Sequence, residues 1–193
     1  MRWERLFEDL QTQFASEWEA ERAVLDTEAE RLRLARLPLR SRLRALVGDA
    51  ATIEVVGGEP LRGTLTAAGE DWLGVDLDGG AAGVVRTDAI AALAIDQEGL
   101  LHSAREDART PRSLAERMSF GFVARDLARR RVTVGIHRLD GAVLTGTIDR
   151  AGADHLDLAR HDPDVPRRAA EVTGFRLLPF AAIGWMRLYE RPA

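Results

Sequence analysis

The sequence predicts a mainly β protein with helices, of the α+β class: two tandem five-stranded barrels, each preceded by a helix, follow a long N-terminal helix. Three observations support this prediction. Residues 3–35 contain no Gly or Pro and carry apolar residues at helical spacing, apolar and polar residues alternate from residue 52 onwards, and the alternating pattern occurs twice. The expected domains are residues 1–37 for the N-terminal helix, 38–97 for the first barrel with its entry helix, 98–110 for a linker and 111–193 for the second barrel with its entry helix.

The N-terminal helix is predicted from a single apolar stripe, in which large apolar residues recur at helical spacing. Glu21 and Glu28 interrupt the stripe, so a strict coiled coil is not expected over its whole length. Two packing partners fit the stripe equally well. One is the counterpart helix of a second chain, which gives a homodimer, and the other is a barrel of the same chain. The stripe consists of Trp3, Phe7, Leu10, Phe14, Trp18, Leu25 and Leu32.

The first barrel is predicted to begin with a short helix. Pro38 ends the N-terminal helix, and a helix over residues 39–47 is expected to stop at Gly48, because glycine is the usual residue just after a helix. The apolar period then changes to two, with Ile53 and Val55 as the first inward-facing pair of a strand.

A second helix is predicted before the second barrel. Residues 96–110 are polar and show no period, so they are interpreted as the linker. Thr110 and Pro111 suit the N-cap and first position of a helix that runs to about Arg130.

An internal repeat connects the two barrels. Residues 61–75 correspond to residues 144–158 at a constant offset of 83, with Gly, Thr, Ala, Gly and Asp at identical places. Later stretches correspond at an offset of 90, so about seven extra residues are expected in the second copy. These stretches are residues 85–86 and 90–93, matched with residues 175–176 and 180–183.

The shared glycines are predicted to shape each barrel. Gly63 and Gly146 lie inside apolar strands, where glycine permits the sharp bend that a closed five-stranded sheet needs. Gly69 and Gly152 are expected to adopt positive φ in a turn. Two aspartates are interpreted as residues that hydrogen-bond this turn backbone. They are Asp71 and Asp154.

The order of these features resembles the Sm-like (LSm) fold, a helix followed by a strongly bent, SH3-like barrel of five strands. The resemblance covers about residues 39–95 and 120–188, and it rests on the patterns Gly-x-x-x-x-Gly-Thr-Leu, Gly-x-Asp and Val-Arg-x-x-x-Ile-x-x-Leu. It implies that the edges of neighbouring barrels pair, so the two modules of this chain are expected to cover one edge for each other.

The resemblance also implies a role for one arginine in each copy. In the Sm-like family an Arg and two Asn residues form a pocket for a base of single-stranded RNA, and Arg86 and Arg176 match that Arg. The chain contains no Asn, and Ala89 and Pro179 stand where the second motif has one. The family's base pocket is therefore matched only by its arginine.

Arginine clusters beside the barrels are the other candidate contacts for nucleic acid, since guanidinium groups bind phosphates. The opposing interpretations are a solvated helix face for the clusters and a plain surface loop for the last pair. The first cluster is Arg31, Arg33, Arg36, Arg40, Arg42 and Arg44; the second is Arg125, Arg129, Arg130 and Arg131; the loop pair is Arg167 and Arg168.

No catalytic site, cofactor or metal is predicted. The four histidines lack the spacing of a metal-binding helix, and the acids near His161, Asp162 and Asp164, are interpreted as turn residues. Trp72 is interpreted first as a core residue and second as a platform for base stacking. The absence of Cys excludes disulfides and thiolate metal sites.

The function expected from these observations is a non-enzymatic nucleic-acid-binding or regulatory module in the cytoplasm, with RNA or DNA as partner and no contact with membrane. All 27 basic residues are Arg, and the net charge of −4 gives no global attraction to nucleic acid, so binding must be local. The alternative is a protein-interaction scaffold that uses the N-terminal helix and the barrel edges. A third option is a sensor with a ligand pocket between the barrels. A single undivided sheet, or two copies that fold differently, would contradict the prediction of two repeated barrels.

Overall fold

The computed structural model describes residues 18–19, 22, 25–105, 114–165 and 167–189. The chain divides into two compact units, Met1–Pro38 and Leu39–Ala193. Within the described part of the chain, no helix combines the length and apolar character that a membrane span requires.

The first unit is helical over residues 25–35. Ion pairs between residues three apart support this helix: Arg33 binds Glu30 at 2.7 Å, and Arg31 lies 3.6 Å from Glu28. The hydrogen bond from Arg33 lowers the pKa of the Glu30 carboxyl. The predicted start of the helix and its stripe residues up to Phe14 lie outside the described residues.

The described residues of the second unit form three α-helices and ten strands. The helices are α1 (Leu39–Ala45), α2 (Gln97–Ser103) and α3 (Phe120–Arg130). The strands are β1 (Ala50–Val55), β2 (Leu61–Ala68), β3 (Trp72–Leu77), β4 (Ala82–Arg86), β5 (Ile90–Ala94), β6 (Thr133–Arg138), β7 (Val143–Ala151), β8 (His155–Arg160), β9 (Gly174–Pro179) and β10 (Ile183–Tyr189). Short 3-10 turns precede β5 and β10, at Thr87–Ala89 and Phe180–Ala182.

All ten strands form one antiparallel sheet in the order β5-β1-β2-β3-β4-β10-β6-β7-β8-β9. The α+β class is therefore confirmed. The two tandem barrels that the sequence predicts are not shown, because β4 pairs with β10 and makes a single undivided sheet. Below, the first half denotes α1 with β1 to β5, and the second half denotes α3 with β6 to β10.

The two halves nevertheless fold alike. The strand order is β5-β1-β2-β3-β4 in the first half and β10-β6-β7-β8-β9 in the second. The pairing registers also match: Gly63 faces Ala51 across β1 and β2, and Gly146 faces Val134 across β6 and β7. Each half has a register shift at the same place in its second strand, after Leu65 and after Ile148. The sequence repeat thus corresponds to a structural repeat.

The predicted offset of 90 for the last two strands is wrong, because the registers give 93. Val85 faces Leu73 in the first half, and Leu178 faces Leu156 in the second. The 3-10 turns are also 93 residues apart. The second half therefore carries ten extra residues between β8 and β9, rather than seven. The sequence match misled because an Arg and two Ala residues recur three positions too early.

Gly63 and Gly146 are required by a close approach of two backbones. A Cβ at Gly63 would lie 2.0 Å from the carbonyl oxygen of Asp76, and a Cβ at Gly146 would lie 2.0 Å from that of Ala159. Any side chain would therefore push the second and third strands of that half apart.

The prediction of positive φ at Gly69 and Gly152 is wrong, since neither residue has it. A Cβ at Gly69 would instead lie 2.0 Å from the indole nitrogen of Trp72. A Cβ at Gly152 would meet the ring of His155 in the same way. Glycine is required at both positions because an aromatic ring lies over the turn, and not because the backbone has a positive φ.

The apolar core consists of two clusters that exchange side chains. Leu43, Ile53 and Leu65 belong to the first cluster, and Ile136 and Leu158 to the second. Three buried residues cross over: Trp72 and Val84 of the first half pack in the second cluster, and Trp185 of the second half packs in the first. The two halves therefore bury apolar surface against each other.

The helices differ from the predictions in two places. Helix α1 is followed by a turn that ends at Gly48 with a φ of +102°, as expected. The segment interpreted as a linker contains α2, whose N-cap Asp96 accepts a hydrogen bond from the Gly99 backbone. Helix α3 begins at Phe120 after the N-cap Ser119, later than predicted. The predicted N-cap, Thr110, lies outside the described residues.

Replacing Gly63 or Gly146 with Ala should lower the free energy of unfolding by at least about 2 kcal/mol, because the added methyl group collides with backbone. Urea denaturation followed by circular dichroism measures this change. Gly79→Ala is the matched control: no atom lies within 4 Å of its added Cβ, and the change should stay below about 0.5 kcal/mol. Equal midpoints for all three variants would contradict the close approach.

Candidate interaction surfaces

The two halves meet where β4 pairs with β10. Val85 faces Trp185 and Val84 faces Met186 in this antiparallel ladder. All four side chains are at most 5% exposed. Because β10 also pairs with β6, it belongs to the second half and closes the edge of the first.

Arg86 binds inside this junction rather than at an open pocket. Its guanidinium donates hydrogen bonds to the Phe180 carbonyl of the second half and to the Asp88 carboxylate. It also lies over the Phe120 ring, 5.9 Å from the ring centre. The side chain is 13% exposed. Arg86, a predicted base contact, thus holds the 3-10 turn and the helix of the other half.

The turn between β2 and β3 forms the second part of the junction. The Trp72 indole N–H and the Glu70 backbone N–H both donate to the Met118 carbonyl, each at 2.9 Å. The Asp71 carboxylate accepts from the backbone N–H of Phe120, the first residue of α3, where a negative charge is favourable. The predicted role of Asp71 within its own turn is therefore wrong, and Trp72 is confirmed as a buried residue.

Asp154 contacts its own turn, whereas Arg176 differs from its predicted role. The Asp154 carboxylate binds the ring of its neighbour His155 at 2.8 Å, which lowers the pKa of the carboxyl. Arg176 is exposed on β9 and donates to the carbonyl of Phe175. By the pairing registers, Arg176 corresponds to Gly83, and the counterpart of Arg86 is Pro179. The prediction of an arginine at matching places in both halves is wrong.

Part of the first arginine cluster lies in α1. The side chains of these arginines contact other parts of the second unit. Arg42 donates to the Leu100 carbonyl at 2.8 Å and to the Ser103 hydroxyl at 3.0 Å, so it holds the end of α2. Arg44 forms a partly buried ion pair with Glu116 at 3.1 Å. Arg40 is partly buried beside the same pair.

The second cluster is more exposed. Arg129 and Arg130 share one carboxylate, Asp126, at 2.5 and 2.7 Å, and their side chains are 74% and 65% exposed. Arg131 is exposed and ends α3 with a φ of 54°. Arg125 donates to the Gly152 carbonyl at 3.2 Å. This helix end therefore carries more positive than negative charge.

The two arginines predicted in the loop between β8 and β9 lie in different environments. Arg167 donates to Asp149 at 2.6 Å, and this hydrogen bond raises the pKa of the Arg167 guanidinium. Arg168 is exposed. Arg167 thus anchors the loop to β7, and Arg168 alone of the pair faces solvent.

The histidines occupy separate places. His161 is 3% exposed and shares a hydrogen bond of 2.8 Å with the Thr147 hydroxyl. The His102 ring binds the Ala45 carbonyl at 2.9 Å; this bond, aided by the charge of Asp49, raises the pKa of His102. Among the residues that the structure describes, no three His, Cys, Asp or Glu side chains are grouped so as to hold a metal ion.

A cleft of about 400 Å³ lies between the β1–β2 turn and the strands β6 and β10. Its wall includes Val56, Glu59 and Trp185. The His137 ring stacks on Trp185 with ring centres 3.8 Å apart. Burial, with the nearby charge of Arg187, lowers the pKa of His137.

Among the described residues, β9 and β5 lie at the opposite ends of the sheet and have no outer strand neighbour. On β9, Phe175 and Leu177 are 64% and 68% exposed. On β5, Ala91, Ala92 and Ala94 are exposed. Unpaired edges present rows of backbone N–H and C=O groups that can accept another strand.

Corresponding residues of β4 and β9 show how the junction changes the exposure of an edge strand. Val84 in β4 is 5% exposed, whereas its counterpart Leu177 in β9 is 68% exposed. The adjacent pair, Val85 and Leu178, face inward and are both at most 5% exposed. The difference therefore arises from the junction, which covers the outer face of β4 and leaves that of β9 open.

Comparison with protein-family models, with curated proteins and with solved structures gave no match for this chain.

Sequence reasoning missed the difference between β4 and β9. One signal was present: Leu177 and Phe175 are apolar at positions where β4 has Val84 and Ala82, so the outer face of β9 is at least as apolar as that of β4. This correspondence between β4 and β9 becomes visible only with the offset of 93.

Replacing Arg86 with Met should lower the free energy of unfolding by about 2 kcal/mol, because the partly buried Phe180 carbonyl loses a charged donor. Arg176→Met removes the same charge from an exposed side chain and should change it by less than about 0.5 kcal/mol. Thermal or urea unfolding of both variants measures the difference. Similar losses in the two variants would refute the junction role of Arg86.

Proposed function

We propose that this chain is a non-enzymatic protein-interaction module, in which two Sm-like barrels are fused through one sheet and the free strand β9 binds an extended segment of a partner chain. The exposed apolar face of β9 is the observation that carries the proposal. Repeated strand order, matching registers and a 3-10 turn before the last strand of each half support the Sm-like interpretation.

Strand addition fits β9 for two reasons. No strand in the described part of the chain pairs with its outer edge, so backbone groups are available for a new ladder. Two large apolar side chains, Phe175 and Leu177, lie on one face of the strand, where an added strand would cover them. Burial of each side chain contributes about 1.5 to 3 kcal/mol to the free energy of binding, which favours the bound strand over the solvent-exposed one.

Photocrosslinking tests this proposal in cells of the native host. A benzophenone amino acid placed at Leu177 should give a light-dependent adduct with a partner chain, since that side chain faces the added strand. The same group at Val143, an equally apolar exposed position inside the sheet, is the matched control and should give no adduct. No adduct from position 177 would overturn the proposed function. Mass spectrometry of the adduct identifies the partner chain.

Nucleic-acid binding by the end of α3 is the second candidate function. The shared carboxylate of Asp126 leaves an excess of positive charge on Arg129, Arg130 and Arg131, and phosphate groups bind such clusters. Positive charge at a helix C-terminus also stabilises the helix, so an experiment must separate the two roles.

Mobility shifts with mixed RNA and DNA pools separate them. Replacing Arg129, Arg130 and Arg131 with Ala should weaken binding at low salt by at least about tenfold and flatten its salt dependence. A charge-matched control replaces three scattered exposed arginines, Arg62, Arg105 and Arg150, and should retain most of the affinity. Absence of any shift at low salt would remove this candidate.

A further inference from the structure

We propose that the cleft between the two halves binds a small organic cation, an amine attached to an apolar body. The cleft lies between the β1–β2 turn and the strands β6 and β10, and its volume is about 400 Å³. Clefts of this size where two structural units meet are frequent binding sites for small molecules. In the described part of the chain, its wall contains no residue of β9 or α3, so the inference goes beyond the proposed function.

Contacts between two turns fix the shape of the cleft. The β1–β2 turn packs on the β6–β7 turn so closely that a Cβ at Gly57 would lie 1.8 Å from the carbonyl oxygen of Leu139. A Cβ at Gly141 would lie 3.2 Å from the carbonyl oxygen of Gly57. Because the two backbones are in direct contact, the distance between the turns is fixed. The site is therefore preorganised, which reduces the entropy that is lost when a ligand binds.

Apolar and aromatic side chains line the cleft and favour an apolar ligand body. Trp185 of β10 faces His137 of β6, and their rings stack with centres 3.8 Å apart and an angle of 16° between the ring planes. Val56 and Val143 also line the cleft, and they are 47% and 50% exposed. A ligand body placed against these side chains would remove apolar surface from water.

The charged side chains of the cleft favour a cation. Two of them line it, Glu59 and Arg138. The Arg138 guanidinium binds the Asp140 carboxylate, so its charge is already balanced. Glu59 is exposed and, among the residues that the structure describes, has no hydrogen-bond or ion-pair partner. The cleft therefore carries one unbalanced carboxylate beside an apolar surface, and an amine on an apolar body complements this arrangement.

Other small molecules fit these charges less well. A carboxylate ligand would be repelled by Glu59, and Asp140 already binds the arginine that could attract it. A neutral molecule would bury the same apolar surface without an attraction to Glu59. The expected order of affinity is therefore cation, neutral molecule and anion.

Three probes with one common phenylethyl body test this order: phenethylamine, 2-phenylethanol and 3-phenylpropionate. Isothermal titration calorimetry of the full chain at neutral pH and low salt measures their affinities. Phenethylamine should bind with a dissociation constant below about 5 mM, as is usual for a ligand of this size in a preformed cleft. It should bind at least about threefold more tightly than the alcohol. Added salt should reduce this difference, because it screens exposed charges.

Variants at Glu59 test the role of its carboxylate. Glu59→Gln should remove the preference for phenethylamine over 2-phenylethanol. Glu59→Lys should make 3-phenylpropionate the strongest ligand, because a positive charge then lies at the same position. Glu171→Gln removes an exposed carboxylate outside the cleft and is the matched control, which should bind the probes like wild type. Circular dichroism establishes that each variant is folded.

Amide NMR spectra locate the bound probe. Phenethylamine should shift the signals of Val56, Gly58 and Val143, whereas the signal of Leu177 in β9 should stay unchanged. Shifts confined to residues outside the cleft would overturn the proposal. So would equal affinities of the three probes, wild-type affinity of Glu59→Gln for phenethylamine, or no binding of phenethylamine to the wild-type chain.

Discussion

The pairing of β4 with β10 is the constraint on which the rest of the second unit depends. It makes one sheet from two repeated halves, and it decides which side chains become core. Val84 and Trp72 are buried because the second half covers them, and Arg86 is held because the Phe180 carbonyl lies beside it. The junction also accounts for the unequal edges, since an identical strand order gives β4 a neighbour and leaves β9 without one.

Arginine has two different uses in this chain. Arg42, Arg44 and Arg86 donate to carbonyls, a hydroxyl and carboxylates within the second unit, where their planar groups satisfy several acceptors at once. At the end of α3, Arg129 and Arg130 share one acid and project into solvent. A cluster defined by sequence spacing alone therefore mixes structural guanidiniums with surface ones.

Much of the fold could be predicted from the sequence, because alternation, glycine spacing and the repeat are local or short-range signals. The strands around Gly63 and Gly146, the turn after α1 and the α+β class follow from such signals. The outer strands of the second half could not be placed, because Arg176 imitates Arg86 three residues too early and only the pairing registers give the true offset. Helix α2 was missed because its seven residues show no clear apolar period. The junction depends on contacts about a hundred residues apart, such as Val85 with Trp185, which no local pattern reveals.

The position of β10 has a consequence for how the protein is made. This strand is the last of the ten described strands in chain order, yet it pairs with both β4 and β6, and its Trp185 and Met186 pack in one core cluster each. During translation, neither half can finish folding until β10 has left the ribosome. A nascent chain that stalls before β10, or a product clipped there, would expose two open strands and two incomplete cores at once, a state that chaperones and proteases recognise. Completion of the sheet and of both core clusters therefore depends on β10.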